Sequence, residues 1–250
     1  MVRSGCNAPP VVNVWACTLR DYSGSIEKFA CALSAGEYEQ SQRFVRRQDS
    51  ERYILGRTLI RQVCAAWSGI APGRLNIGRT AKGRPYLARE AQLPGHWIDF
   101  NIAHSGDCVL IAWSVDQPVG VDVEAIELAR NLPFSGLAKT AFSEDECSAL
   151  AAVEPSSTAL TFCRIWVRKE AILKAEGCGF SGNLRSFSVA IRKSRQIQWL
   201  DQVYYLGTAR YWCIVDFTPV PGYVAGVAMP MGAILQQGPN VLKMSCSKGF

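Results

Sequence analysis

The sequence predicts an α+β protein made of two halves that meet near Gln117-Pro118, and three observations lead there. A helix-start signal of the form Ser-x-x-Glu occurs twice, once with Ser34 and Glu37 and again with Ser143 and Glu146. Such a pair satisfies the free N–H groups of a first helical turn. A long amphipathic helical pattern follows each signal, and short alternating strand patterns follow each helix. With 250 residues, 48% hydrophobic and 10% aromatic, the chain has the material for a packed core. That composition excludes a disordered chain, a coiled coil and a collagen-like fibre.

In the first half, Tyr53, Ile54, Leu59, Ile60 and Val63 recur at helical spacing and predict a helix over 50–66. Residues 101–103 and 109–114 flank a turn at Ser105-Gly106-Asp107 and read as a hairpin. Residues 120–124 form a short alternating strand. In the second half, Phe162, Ile165, Trp166, Ile172 and Leu173 predict a helix over 158–176, with Gly177 as its C-cap. Residues 187–191, 196–200 and 211–217 read as an antiparallel run, and 224–229 as a last strand.

No run of 18 apolar residues occurs, so no spanning helix is expected. Arg3 suits a signal-peptide n-region, but Asn7, Pro9, Pro10 and Asn13 interrupt any apolar segment after it. The expectation is a cytoplasmic protein without a membrane partner. Ten cysteines, at 6, 17, 31, 64, 108, 147, 163, 178, 213 and 246, include no C-x-x-C clip and read as reduced, buried small hydrophobes. Two histidines, His96 and His104, exclude a multi-histidine metal site. The formal charge of +6, from 27 basic and 21 acidic residues, suits an anionic small molecule or an acidic protein partner.

Three segments carry chemistry. In Gly120-Val121-Asp122-Val123-Glu124, strand alternation puts Asp122 and Glu124 on one face and both valines in the core. Paired carboxylates of this kind suit Mg²⁺, which takes one or two carboxylates together with phosphate oxygens and water. An exposed strand face with two solvated acids is the plainer reading. In Trp166-Val167-Arg168-Lys169-Glu170-Ala171-Ile172-Leu173-Lys174, the residues Trp166, Glu170 and Lys174 lie along one helical stripe. An inward Trp166 places Glu170 and Lys174 at the edge of a buried surface; an ordinary Glu-to-Lys helix pair is the alternative. Finally, Arg79-Thr80-Ala81-Lys82-Gly83-Arg84-Pro85 gathers three cations around a glycine, which fits phosphate. It is followed by Phe100-Asn101-Ile102-Ala103-His104-Ser105-Gly106, where His104 ends a strand and can face a cleft.

The order of these segments resembles one family, the 4′-phosphopantetheinyl transferases of the larger type that activates peptide and polyketide synthases. The resemblance runs from the segment of Arg43, Phe44, Asp49 and Arg52, with Leu59-Ile60-Arg61, through the basic loop and the Phe-Asn-x-x-His-Ser-Gly run. It ends on Gly-x-Asp-x-Glu ahead of Trp-x-x-Lys-Glu-x-x-x-Lys, and covers residues 33–180. It implies a pseudo-twofold pair of similar α/β subdomains in one chain, here residues 1–116 and 117–250, with which the repeated helix signal agrees. Coenzyme A then lies between the halves, and its phosphopantetheine arm moves to a serine of an acidic apo acyl or peptidyl carrier protein, releasing adenosine 3′,5′-bisphosphate. A monomer is expected.

The resemblance further implies a role for each matching residue. Asp122, Glu124 and Glu170 hold Mg²⁺, or Mn²⁺ in its place. Glu170 is the base, Lys174 meets the phosphate under attack, and Lys169 assists. His104 contacts a phosphate, Asn101, Ile102 and Ala103 line the adenosine side, and Arg79, Lys82, Gly83, Arg84 and Pro85 hold the nucleotide phosphates. Three departures are local: Gln40 where many members are basic, Ala103 where many carry Ser, and Arg84 where Lys is common. A nucleic-acid-binding module would use the basic loop and the seven tryptophans but leaves the acids without a task. No nucleic acid is therefore expected. A non-catalytic carrier-binding relative conflicts with the intact Asp122, Glu124, Glu170 and Lys174.

Overall fold

In a computed structural model, which describes residues 10–22, 26–130, 133–177, 183–193, 196–205 and 210–237, Ser34 and Ser143 each start a helix with a closed capping box. Ser34 Oγ accepts from Glu37 N–H at 3.4 Å, and Glu37 returns the bond to Ser34 N–H at 3.0 Å. Ser143 and Glu146 repeat the arrangement at 3.3 and 2.9 Å. Both short helices lead to a helix of 22 residues. Each long helix stops on a left-handed glycine, Gly69 with φ 72° and Gly177 with φ 67°.

In chain order the first half contains β1 (Val11–Thr18), α1 (Ile26–Phe29), α2 (Ala35–Gln42), α3 (Arg47–Ser68), β2 (Ile77–Arg79), β3 (Pro85–Leu87), β4 (Ile98–Ser105) and β5 (Cys108–Val115). The second contains β6 (Gly120–Ala125), α4 (Ile126–Ala129), α5 (Phe134–Ala141), α6 (Glu144–Ala151), α7 (Pro155–Glu176), β7 (Ala190–Lys193), β8 (Gln196–Trp199), β9 (Gln202–Tyr205), β10 (Arg210–Phe217), β11 (Tyr223–Pro230) and β12 (Ile234–Gln237). The strands form two four-stranded sheets, ordered β12-β1-β5-β4 and β6-β11-β10-β9, and two small hairpins, β2-β3 and β7-β8.

Two of these features differ from the sequence reading. The run expected over 187–217 is split: among the described residues β7 and β8 pair only with each other, and β10 reaches the main sheet between β9 and β11. The final strand, β12, crosses back and pairs in parallel with β1, Val11 opposite Ile234. The first sheet is thus closed by a strand from the far end of the chain.

Each long helix covers one sheet. Leu55, Leu59 and Ile60 of α3 pack with Phe100 and Ile111, and Ile165, Ile172 and Leu173 of α7 pack with Trp212 and Ile214. The two sheets share a third layer, with Leu110 and Ala112 on one side and Val121, Val123 and Val227 on the other. Fully burying a side chain of this size contributes about 1.5–3 kcal/mol. The seat of α7 is unusually close. A Cβ on Gly120 would stand 2.0 Å from the Ala171 carbonyl oxygen and 2.4 Å from the Ala175 nitrogen, and one on Gly226 would stand 2.7 Å from the Val167 carbonyl oxygen. Two glycines on neighbouring strands therefore let the helix backbone rest directly on the sheet.

The capping glutamates have a second task. Glu37 is buried against two arginines of α3, Arg57 and Arg61, the latter at 2.5 Å. Those contacts outweigh burial and hold its carboxyl below the usual range. Glu146 takes the same place under α7, where Lys169 Nζ lies 2.7 Å from Oε2 with the two side chains 1% and 0% exposed. Lys169 also donates to the carbonyls of Leu184 at 2.8 Å and Phe187 at 2.5 Å and lies over the Phe187 ring. Its ammonium is fully engaged in the core, because it points from α7 toward α6 and away from the acids on β6. The expected assisting role of Lys169 at the phosphate is corrected accordingly.

Gly120→Ala should destabilise the protein by about 1–3 kcal/mol or more, because its methyl meets backbone that cannot move aside. Gly36→Ala, with nothing within 4 Å of the added carbon, is the control and should stabilise by about 0.5–1 kcal/mol through helix propensity. Chemical denaturation of the two variants checks this. Lys169→Met should cost about 3–5 kcal/mol by leaving the buried Glu146 carboxylate without a counter-charge. Turnover below its melting range should stay normal; full stability with lost turnover would reverse the assignment.

Candidate active site

On β6 the even positions face α7. Asp122 sits opposite Gly226 in the register with β11, where no side chain intervenes between strand and helix. From α7, Lys174 reaches down and places Nζ 2.6 Å from Asp122 Oδ1. Lys174 therefore pairs across to the strand, not along its own helix with Glu170. Asp122 Oδ2 and Glu170 Oε1 are buried with no hydrogen-bond partner. Glu124, one pleat along, accepts from Ser105 Oγ at 2.9 Å.

Burial raises all three carboxyl pKa values, and for Glu124 and Glu170 repulsion from Asp122 adds to it. Glu124 is pushed up to about 7 by burial and then by Asp122. Glu170 is raised by the same two causes in the same order. For Asp122, burial outweighs the opposing pull of Lys174. Three acids against one half-buried lysine is an electrostatic deficit that a cation corrects. Two orphaned carboxylate oxygens have the hard-donor chemistry a divalent cation such as Mg²⁺ requires. Among the described residues, no three His, Cys, Asp or Glu side chains are gathered as a ready metal shell.

Beside the acids lie two kinds of cavity. One, of about 320 Å³, is apolar; Leu137, Phe162, Cys163 and Trp166 line it, and Glu124 and Ser105 sit on its wall. Trp166 thus forms part of a pocket while packing on the core. The other side carries arginines and His104. Cavities of about 270 and 640 Å³ share Phe44, Tyr53, Arg57 and Arg79, and the smaller also meets Arg52, Pro85, Ile102 and His104. His104 is held below its ordinary pKa by burial, then by Arg52 and Lys174. Its coupling to Lys174 and Asp122 joins this cavity to the acids.

The basic loop divides. Arg79 and Lys82 are exposed on the β2–β3 hairpin, where Gly83 turns the chain with φ 84°. Arg84 instead points inward, with Nη2 2.5 Å from Asp99 and 2.9 Å from the Val119 carbonyl. Its Nη1 is buried without a partner. The expected stretch on the adenosine side divides as well. Ile102 faces the cavity of His104, but Asn101 and Ala103 are one pleat out of phase and face the other half. Asn101 Oδ1 accepts from Val121 N–H at 3.2 Å, and Ala103 is buried between the sheets.

Sequence reasoning missed Tyr53 as a cavity wall and Ser105 as a partner of Glu124. Tyr53 was readable only as one apolar position of a helix. Ser105 was readable only as a turn residue, since nothing local shows that its hydroxyl crosses to another strand.

Two family descriptions match the chain in succession. The 4′-phosphopantetheinyl transferase N-terminal family matches residues 15–116, and the 4′-phosphopantetheinyl transferase superfamily matches residues 118–228. The 4′-phosphopantetheinyl transferase HetI of Nostoc sp. is 27% identical over 218 residues, 87% of each chain. The human L-aminoadipate-semialdehyde dehydrogenase-phosphopantetheinyl transferase is 29% identical over 188 residues, 72% of this chain and 61% of that one. A 4′-phosphopantetheinyl transferase of Bacillus subtilis is 33% identical over 171 residues, 68% of this chain and 71% of its own. Identity of that extent, joined to the paired family matches, shows that the chain belongs to the 4′-phosphopantetheinyl transferase superfamily.

Proposed function

We propose that the protein transfers the 4′-phosphopantetheine arm of coenzyme A to a serine hydroxyl of an apo carrier protein and releases adenosine 3′,5′-bisphosphate. The observation that carries the reading is the pair of unpartnered oxygens, Asp122 Oδ2 and Glu170 Oε1, beside Lys174 and within electrostatic reach of His104. Anion-binding cations and cation-seeking acids at one cleft suit a substrate that brings a pyrophosphate between them.

In this reading the first half, residues 1–116, holds the nucleotide. Arg79 and Lys82 grip its phosphates as exposed fixed charges, and His104 donates to a phosphate oxygen. Arg84 offers Nη1 while Asp99 and Val119 hold the rest of its guanidinium. The second half, 117–250, carries the acids. Asp122, Glu124 and Glu170 would hold Mg²⁺, with Mn²⁺ as a substitute, and the ion would neutralise charge building on the pyrophosphate. Glu170 takes the proton of the attacking serine; burial and then Asp122 raise its pKa, which makes it a stronger base than an ordinary carboxylate. Lys174 moves its charge from Asp122 toward the phosphate as the bond to the nucleotide breaks. The apolar cavity along Phe162 and Trp166 receives the arm. The net charge of +6 favours an acidic carrier, and two subdomains in one chain make a monomer sufficient.

The direct test is mass spectrometry of apo carrier proteins incubated with the protein, coenzyme A and Mg²⁺. A mass gain of one phosphopantetheine, lost with a chelator and restored by Mg²⁺, is expected. No gain across fatty-acid, peptide and polyketide carriers would overturn the reading.

Lys174→Ala should lower kcat and kcat/KM together by about a hundredfold or more, the scale of a lost oxyanion contact. Lys174→Arg should restore part of it. A normal rate with a slightly lower thermal midpoint would reduce Lys174 to a partner of Asp122. Arg79→Ala and Lys82→Ala should raise KM for coenzyme A and spare kcat, since these cations meet groups whose charge does not change. Arg84→Ala should in addition lower the thermal midpoint, because Asp99 loses its guanidinium; kinetics and melting on one preparation separate the two kinds of arginine.

A further inference from the structure

Strands β4 and β6 face each other across the two halves without pairing their backbones. Side chains do the work instead, in a regular ladder. Asp99 Oδ2 accepts from Val119 N–H at 2.8 Å, Asn101 Oδ1 from Val121 N–H at 3.2 Å, and Ser105 Oγ from Ala125 N–H at 3.0 Å. Each rung joins residues 20 apart in sequence. The odd N–H groups of β6 need these partners, because among the described residues β6 pairs with β11 on its other edge only. The one missing rung is Ala103, 20 residues before Val123, because its side chain has no acceptor to offer.

Ser105 differs from the other rungs. A carboxylate or amide oxygen only accepts, whereas a hydroxyl also has one proton to give. With a lone pair on Ala125 N–H, Ser105 directs that proton to Glu124 Oε2 at 2.9 Å. The turn that carries Ser105 is itself fixed from three directions. Arg52 Nη1 donates to the Gly106 carbonyl at 2.6 Å, Asp107 N–H donates to the Tyr223 hydroxyl at 3.0 Å, and Gln48 and Arg20 bind the Asp107 carboxylate, each at 2.8 Å. The hydroxyl is therefore held rigidly, and through it one Glu124 oxygen.

We propose that Ser105 is a positioning residue for Glu124: bridging β4 and β6, its hydroxyl fixes the Glu124 carboxylate, so that divalent-cation affinity in the second half depends on a side chain of the first. The proposal rests on the metal reading given above. Removing an outer partner of a ligating group typically costs 10–100-fold in metal affinity.

The experiment is titration of the purified protein with Mn²⁺ alone, without coenzyme A or carrier, following free Mn²⁺ by electron paramagnetic resonance. Wild type should bind Mn²⁺, and Asp122→Asn should abolish binding. Ser105→Ala should weaken binding about 10–100-fold, reach the same stoichiometry at saturation, and leave KM for coenzyme A unchanged. Ser105→Thr, which keeps the hydroxyl, should bind as wild type does. Unchanged Mn²⁺ affinity in Ser105→Ala, or equal losses in Ser105→Ala and Ser105→Thr, overturns the positioning role while the metal site stands. Failure of wild type to bind Mn²⁺ removes the metal reading and the proposal with it.

Discussion

The closeness of α7 to β6 and β11 is the constraint on which the site depends. Gly120 and Gly226 present bare backbone to the helix, and the helix answers with the backbone of Val167, Ala171 and Ala175. At that separation a lysine on α7 reaches a carboxylate on β6 directly, at 2.6 Å. One methyl group on either glycine would lift the helix, and Lys174 and Glu170 would rise with it. The Gly in Gly-x-Asp-x-Glu is therefore a spacing device for the acids that follow it.

That spacing creates an environment in which burial works against charge. Asp122, Glu124 and Glu170 are all raised in pKa, chiefly by burial, and a single half-buried lysine opposes them. Where the protein has no need of a deficit, it removes one: Glu37 has two buried arginines and Glu146 has a buried lysine, and each glutamate also closes the capping box of the short helix before a long one. The same residue type serves stability in one place and cation binding in another. What separates them is whether every oxygen has a partner.

The two halves repeat a plan: capping box, short helix, long helix ending on a left-handed glycine, and a buried cation on the capping glutamate. They do not repeat its use. In the first half the long helix and its sheet border cavities carrying arginines and His104; in the second they border acids and an apolar pocket. A cleft between copies of one plan can thus offer opposite charge on its two walls, which suits a substrate with a charged nucleotide at one end and a neutral arm at the other.

The sequence by itself determined whatever depends on local period and on signals a few residues long. Both Ser-x-x-Glu starts, the stop at Gly177, the hairpin around Gly106 and the shared face of Asp122 and Glu124 follow from backbone chemistry that neighbours cannot easily override. The pairing of Glu170 and Lys174 with that face was legible as a stripe on a helix. Strand β1 was not read from the sequence, where Pro9, Pro10 and Asn13 served only to interrupt a signal-like segment; the strand starts past the prolines and turns Asn13 out between buried Val12 and Val14. Tertiary structure alone decided which partner each face met. Lys169 adjoins Glu170 in sequence, yet a 100° step around the helix sends it into the core beneath α6. Arg84 neighbours exposed Lys82 but turns inward to Asp99, and Ser105 leaves its own turn to hold a glutamate on another strand. Periodicity states which side chains share a face; only packing between residues distant in the chain states what that face touches.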